Sequence, residues 1–186
     1  GAHLRRTQNY IRATARHLQS HPRFKDILDD ATIDLIYKSA PLHDIGKVGI
    51  PDAILLKPGK LTPEEFTTMK EHAVFGRDAL LAAEEQLGSN SFLKYAKDVA
   101  LTHHENWDGS GYPQGLKGDD IPVAGRLMMI ADVYDALISK RVYKPAFTHE
   151  MAMEFIKEDS GKKFDPDIVT AFFEIETEIR EIGKVR

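Results

Sequence analysis

Residues 124–139 read AGRLMMIADVYDALIS, sixteen positions that are apolar on nearly every side. A helix with no polar face belongs at the centre of a fold, wrapped by other helices. Asp132 falls between Ala131 and Val133 in this stretch. An ionised carboxylate buried mid-helix is costly unless it is paired or holds a metal ion, so Asp132 demands a partner.

Outward from that segment the periodicity is helical nearly throughout. The spacing predicts helices over about 4–19, with Tyr10, Ile11, Thr14 and Leu18 on one face, and over 32–45, with Ile33, Ile36, Tyr37 and Ala40 apolar. Pro41 should kink the second, and Gly46 suits the left-handed position after a helix. Thr62-Pro63-Glu64-Glu65 is a capping-box start for a helix reaching about Gln86, ended by Gly88. Further helices are expected over 92–104, 124–139, 148–159 and 165–182, seven in all. Residues 46–62 read as loop. Asn106 to Gly125 holds five glycines and two prolines, a loop long enough to suggest function. No strand signal is convincing.

The 186 residues carry 25 Lys and Arg against 29 Asp and Glu, a net charge of −4. A polyanion-binding surface is not expected from that balance, so no nucleic acid polymer is a partner. With no cysteine, a disulfide scaffold, a thiolate metal site and a cysteine nucleophile are excluded. No apolar run approaches the roughly 20 residues of a membrane span.

Eight histidines are present. His43-Asp44 closes the second helix, His72 continues the stripe of Met69, Ala73, Gly76 and Leu80, and His103-His104 follows Tyr95, Ala96 and Val99. Each alone has a bland reading, as a hydrogen-bonded core histidine or a helix-end contact. Together with Asp132 the bland reading needs four coincidences. One or two divalent ions would satisfy all six groups at once. An all-nitrogen and oxygen donor set favours Mn, Fe, Zn or Ni, and two aspartates suggest a dinuclear centre with water as nucleophile. His17, His21 and His149 read as surface residues, and Trp107 and Tyr134 as packing.

His43-Asp44-Ile45-Gly46-Lys47 resembles the signature of the HD phosphohydrolase superfamily. The run from His103 to Pro113, HHENWDGSGYP, is similar to that of its HD-GYP subfamily, as are residues 48–52, 57–61, 141–144 and 164–166. The resemblance spans the whole chain, 1–186. It implies an all-α helical bundle of the HD type and a phosphodiesterase that hydrolyses cyclic di-GMP to pGpG or GMP. It implies His43, Asp44, His72, His103, His104 and Asp132 as metal ligands, with Asp44 bridging and Lys47 neutralising the scissile phosphate. Gly111, Tyr112 and Pro113 would shape the pocket lip, and Arg141 and Lys144 would hold phosphate or guanine.

Some members of the family bind a third metal through a Glu and a His of the first helix. His3 matches that histidine, but the Glu would precede Gly1, so two metals are expected, Fe or Mn first and Zn or Ni next, with His3 a weak extra ligand. Two other readings stand beside the hydrolase: a cyclic di-GMP binding module without turnover, and an HD hydrolase of another cyclic dinucleotide. The chain is expected to be excised from a longer cytoplasmic protein, or one tethered to a membrane by its N-terminal region. An upstream sensory or receiver domain and a homodimer through the first helix are also expected.

Overall fold

The computed structural model describes residues 1–140 and 144–186. Among them the structure is all-helical: α1 (Ala2–Leu18), α2 (Asp30–Ser39), the single turn α3 (Asp52–Leu55), α4 (Pro63–Lys70), α5 (His72–Leu87), α6 (Ser91–Thr102), α7 (Val123–Ile138), α8 (His149–Glu158), α9 (Pro166–Glu174) and α10 (Glu176–Gly183). Nine of these have eight residues or more. The excess over seven has a local cause, because two of the expected helices are each broken once, at Glu71 and at Ile175.

α7 is the central helix. Ten of its sixteen residues are buried, and it packs against α1, α6 and α8. Tyr10, Leu18, Leu127, Met128, Ile130, Tyr134 and Phe172 belong to the main apolar core. A smaller cluster of Leu80, Leu93, Ala96 and Ala100, with Leu42 and Ile45 against it, joins α5 to α6.

The helix starts follow local chemistry. The Thr62 capping box is complete: Glu65 N donates to Thr62 Oγ1 at 3.1 Å and Thr62 N to a Glu65 carboxylate oxygen at 2.8 Å. Thr148 caps α8 and Asp165 caps α9. Gly88 ends α5 with φ of 85°.

Three expectations need correction. The second helix is not kinked at Pro41 but stops at Ser39, and Ala40–Leu42 continues as a 3-10 turn. His43 and Asp44 therefore sit in an irregular turn, beyond the helix. Residues 46–62 are not all loop, since Ile45–Gly49 is 3-10 and α3 follows. Gly46 is not a left-handed stop, because its φ is not positive. What it provides is close approach: a Cβ there would overlap the His72 carbonyl oxygen and the Gly76 amide nitrogen of α5.

Asp165 ties the ends of the chain to the glycine-rich loop. Its fully buried carboxylate accepts hydrogen bonds from Arg23 at 3.0 and 3.1 Å and from Arg126 at 2.8 Å. Arg23 also reaches Asp119 at 2.5 Å and lies over the Trp107 ring. Burial alone would push the Asp165 carboxyl up, but the two arginines hold it below the usual carboxylate range. The folded state then binds this proton more weakly than the unfolded chain does. The resulting stability is present at neutral pH and is lost as pH falls below about 4. Asp165→Ala is expected to cost about 3–5 kcal/mol at pH 7, because it strands the buried Arg126. Urea unfolding at pH 7 and pH 3 checks this, and a gap between variant and parent that did not narrow at pH 3 would refute the electrostatic account.

Candidate metal centre

Four parts of the chain deliver polar side chains to one place. The turn after α2 brings His43 and Asp44, the first residue of α5 brings His72, the end of α6 brings His103 and His104, and the middle of α7 brings Asp132. Small residues permit the convergence. Gly46 lets the turn press onto the backbone of α5, and Gly76 lets α5 approach Ala100 of α6.

Asp44 is the hub. Its Oδ1 lies 3.5 Å from His103 Nε2 and 3.6 Å from His72 Nε2. Its Oδ2 lies 3.2 Å from His43 Nε2 and 3.1 Å from Lys47 Nζ. Asp132 Oδ1 is 3.7 Å from His43 Nε2. His72, His103 and His104 each offer a ring nitrogen within 4.8 Å of the others. All six residues singled out in the sequence are thus brought together.

The histidine tautomers are set from behind. His43 Nδ1 donates to Ala40 O at 2.8 Å, His72 Nδ1 to Met69 O at 2.7 Å and His103 Nδ1 to Val99 O at 2.7 Å. A carbonyl can only accept, so each Nδ1 carries a proton, and the ring as a neutral ligand turns its Nε2 lone pair inward. His72 Nε2 and His103 Nε2 then face one another at 3.4 Å. His43 Nε2 is buried with no aligned hydrogen-bond partner, despite its distance from Asp44. Opposed lone pairs and an orphaned acceptor are unfavourable unless a cation stands among them. The donor set fits a divalent metal ion, with nitrogen and carboxylate oxygen and no sulfur.

The electrostatics agree at His72 and His104. Burial pushes the His72 imidazole down, and burial with the nearby His103 and His72 takes His104 down to about 2, so both stay neutral as ligands must. His43 differs: burial opposes its charge, but Asp132 and Asp44 outweigh burial and raise this ring to about 10, so beside the two carboxylates it carries a proton that a metal ion would displace. Burial likewise works against ionisation of Asp44, yet His103, His43 and Lys47 hold it far below the carboxylate range. Asp132 is held low against burial by His3 and His43.

Around this centre the glycine-rich loop forms a wall. The Tyr112 ring stacks on His104 at 4.9 Å and meets Phe66 of α4 edge-on at 6.0 Å. A Cβ on Gly111 would collide with the backbone of His104, Glu105 and Asn106. Pro113 follows on the exposed side. Lys144 is exposed and lines a cavity of about 620 Å³ with Lys60, Leu137 and Phe147, which none of the six converging residues lines. Arg141 lies outside the described residues.

Several residues were missed in the sequence. Asp132 is not the deeply buried acid of α7, its side chain being 28% exposed, whereas Asp135 is 0% exposed. Asp135 gathers His3, Arg6 and Tyr10. Its position one turn from Asp132 and the one-turn spacing of Arg6 and Tyr10 were available signals. Glu105 is also buried. Its carboxylate accepts from Gln114 N at 2.8 Å and Leu116 N at 2.9 Å, which folds the loop back on itself. No local pattern announces that role. His149 is not a surface residue either, since it shares a 2.8 Å hydrogen bond with Tyr134 and its ring is largely covered.

The family model described as "HD domain" matches residues 3–168. A cyclic di-GMP phosphodiesterase of Vibrio cholerae is 61% identical over 176 residues, covering 95% of this chain and 36% of that protein. A 3'3'-cGAMP-specific phosphodiesterase 2 of the same organism is 43% identical, covering 94% of this chain and 31% of the relative. The chain thus spans well under half the length of these relatives. Among solved structures, Bd1817, a HDG"Y"P protein from Bdellovibrio bacteriovorus, superposes with a TM-score of 0.62 at 19% identity, over 92% of this chain and 51% of that one.

Proposed function

Since the chain belongs to the HD-domain family, which implies divalent metal binding, we propose that it is a metal-dependent phosphodiesterase of the HD-GYP type acting on cyclic di-GMP, with pGpG or GMP as product. The observation that carries this reading is the set of inward Nε2 lone pairs around Asp44, with Lys47 at its outer oxygen. The substrate follows the names of relatives at 61% and 46% identity.

His43, His72, His103, His104, Asp44 and Asp132 would hold two divalent ions, Fe or Mn before Zn or Ni. His3 stands at the rim, its Nε2 at 3.4 Å from Asp132 Oδ1. Bound there, the ions supply a water nucleophile at neutral pH and polarise the phosphoryl oxygens.

The protein's own groups do the rest. The backbone carbonyls behind His43, His72 and His103 keep the rings oriented, so no reorganisation is needed during reaction. Lys47, 42% exposed, can reach from Asp44 to the scissile phosphate and offset charge that develops on it. Tyr112 offers a ring face for a purine, backed by His104 and Phe66. Lys47→Met is expected to lower kcat by about 10²-fold with a smaller change in KM, the pattern of an interaction strengthened in the transition state. Steady-state kinetics check it, and an unchanged kcat would remove Lys47 from the chemistry.

The direct test is turnover of cyclic di-GMP by the Fe- or Mn-loaded chain, beside 3'3'-cGAMP. Release of pGpG or GMP at the higher rate supports the reading. Faster cleavage of 3'3'-cGAMP would shift the substrate to that of the 43% identical relative. Tight binding of cyclic di-GMP without cleavage would leave a binding module. A sensory or receiver domain joined upstream of α1 would act through that helix, which would also pair two copies in the cytoplasm. No described helix is long and apolar enough to cross a membrane.

A further inference from the structure

We propose that Asp135 and Arg6 are positioning residues of the metal centre, which act by orienting His3 at its rim. The proposal rests on the metal reading above and adds to it residues that no ligand role requires.

Asp135 lies one turn beyond Asp132 on α7, and its side chain is fully buried. Both of its oxygens are engaged twice. Oδ1 accepts from Arg6 Nε at 2.8 Å and from Tyr10 OH at 2.8 Å. Oδ2 accepts from Arg6 Nη2 at 3.0 Å and meets His3 Nδ1 at 2.5 Å. The two arginine contacts form a bidentate fork, which fixes the carboxylate plane. Arg6 is itself anchored, donating through Nη1 to Val185 O at 2.8 Å. A chain of contacts therefore runs from the C-terminal segment through Arg6 and Asp135 to His3.

His3 completes it. A carboxylate on Nδ1 keeps the proton there and leaves the Nε2 lone pair on the edge of the centre, 3.4 Å from Asp132 Oδ1, so that the two stand side by side as donors to a cation. A purely structural account explains Arg6, Tyr10 and Asp135, which satisfy one another in the core. It does not explain why the remaining position on Asp135 is given to His3. That side chain is 45% exposed, so its pairing adds little to stability. What the contact does achieve is to fix one imidazole edge against one carboxylate of the centre. α1 and the C-terminal segment, far from the centre in sequence, thereby set the orientation of the His3 ring beside Asp132.

The test uses Mn²⁺ alone as probe, with affinity read by electron paramagnetic resonance or calorimetry, and circular dichroism to verify folding. Asp135→Asn and His3→Gln are each expected to weaken Mn²⁺ binding by about 10–100-fold, the usual effect of losing a group that orients a metal site. The double variant is expected to bind no more weakly than the weaker single, because the two act in series. Unchanged affinity in Asp135→Asn, or losses that add in the double variant, would overturn the proposal. Should Asp135→Asn fail to fold, Arg6→Lys takes its place, keeping the charge beside Asp135 and losing the fork. The same non-additivity with His3→Gln is then expected, and additivity overturns the proposal. Mn²⁺ binding by the unaltered chain distinguishes the two levels: no binding at all sinks the metal reading and this proposal with it, whereas normal binding untouched by the variants sinks this proposal alone.

Discussion

Asp44→Ala is expected to give a folded chain that takes up little or no Mn²⁺ and cleaves cyclic di-GMP more than about 10³-fold more slowly. A loss of that size exceeds the removal of a single oxyanion donor, because Asp44 stands among three of the imidazoles. His72 and His103 lie on its Oδ1 side and His43 and Lys47 on its Oδ2 side. Without it, the imidazoles would lose the carboxylate they share, and the divalent ions proposed to sit there would lose an anionic ligand. The fold should survive, since the side chain is only partly buried and no backbone group depends on it. Metal content by elemental analysis, turnover and a urea melt together check the result. A variant that kept both its metal and its rate would remove Asp44 from the centre.

Gly46→Ala is expected to destabilise the protein by about 3 kcal/mol or more, the range of severe overpacking. The added methyl would meet backbone on both sides, the His72 carbonyl and the Gly76 amide. Backbone within a helix cannot swing aside as a long side chain can. Either the turn carrying His43 and Asp44 moves off α5, or α5 loses its first turn and with it His72. Gly59→Ala is the matched control. Gly59 has φ of 84° and open space around it, so its substitution should cost only the conformational penalty of about 1 kcal/mol. Denaturant midpoints compare the two. A midpoint for Gly46→Ala equal to or above that of Gly59→Ala would show that the turn tolerates displacement.

The donor residues could be read from the sequence because each departs from the apolar face on which its helix places it. His72, His103 and Asp132 interrupt stripes at helical spacing, and His43-Asp44-Ile45-Gly46-Lys47 matches a motif. Tautomers could not be read that way. They depend on carbonyls three or four residues earlier, whose availability is known only once the helix end is formed. Glu105 shows the same limit, since its partners at Gln114 and Leu116 are set by how the loop returns. Asp135 carries the same signal as Asp132, an acid in the apolar run, but which of the two points into the core is decided by how α1 packs against α7.

Chain order alone dictated the helical class, the caps at Thr62, Thr148 and Asp165, and the chemical identity of six converging donors. Those features arise within one or two turns of a helix, where spacing and side-chain type suffice. Folding in three dimensions decided the rest: that Asp44 stands between the histidines, that Gly46 is needed for contact instead of for a turn, and that His3 meets Asp135 across 132 positions of sequence. Such contacts are made when separate helices pack, and their distances are fixed by how closely the backbones can approach.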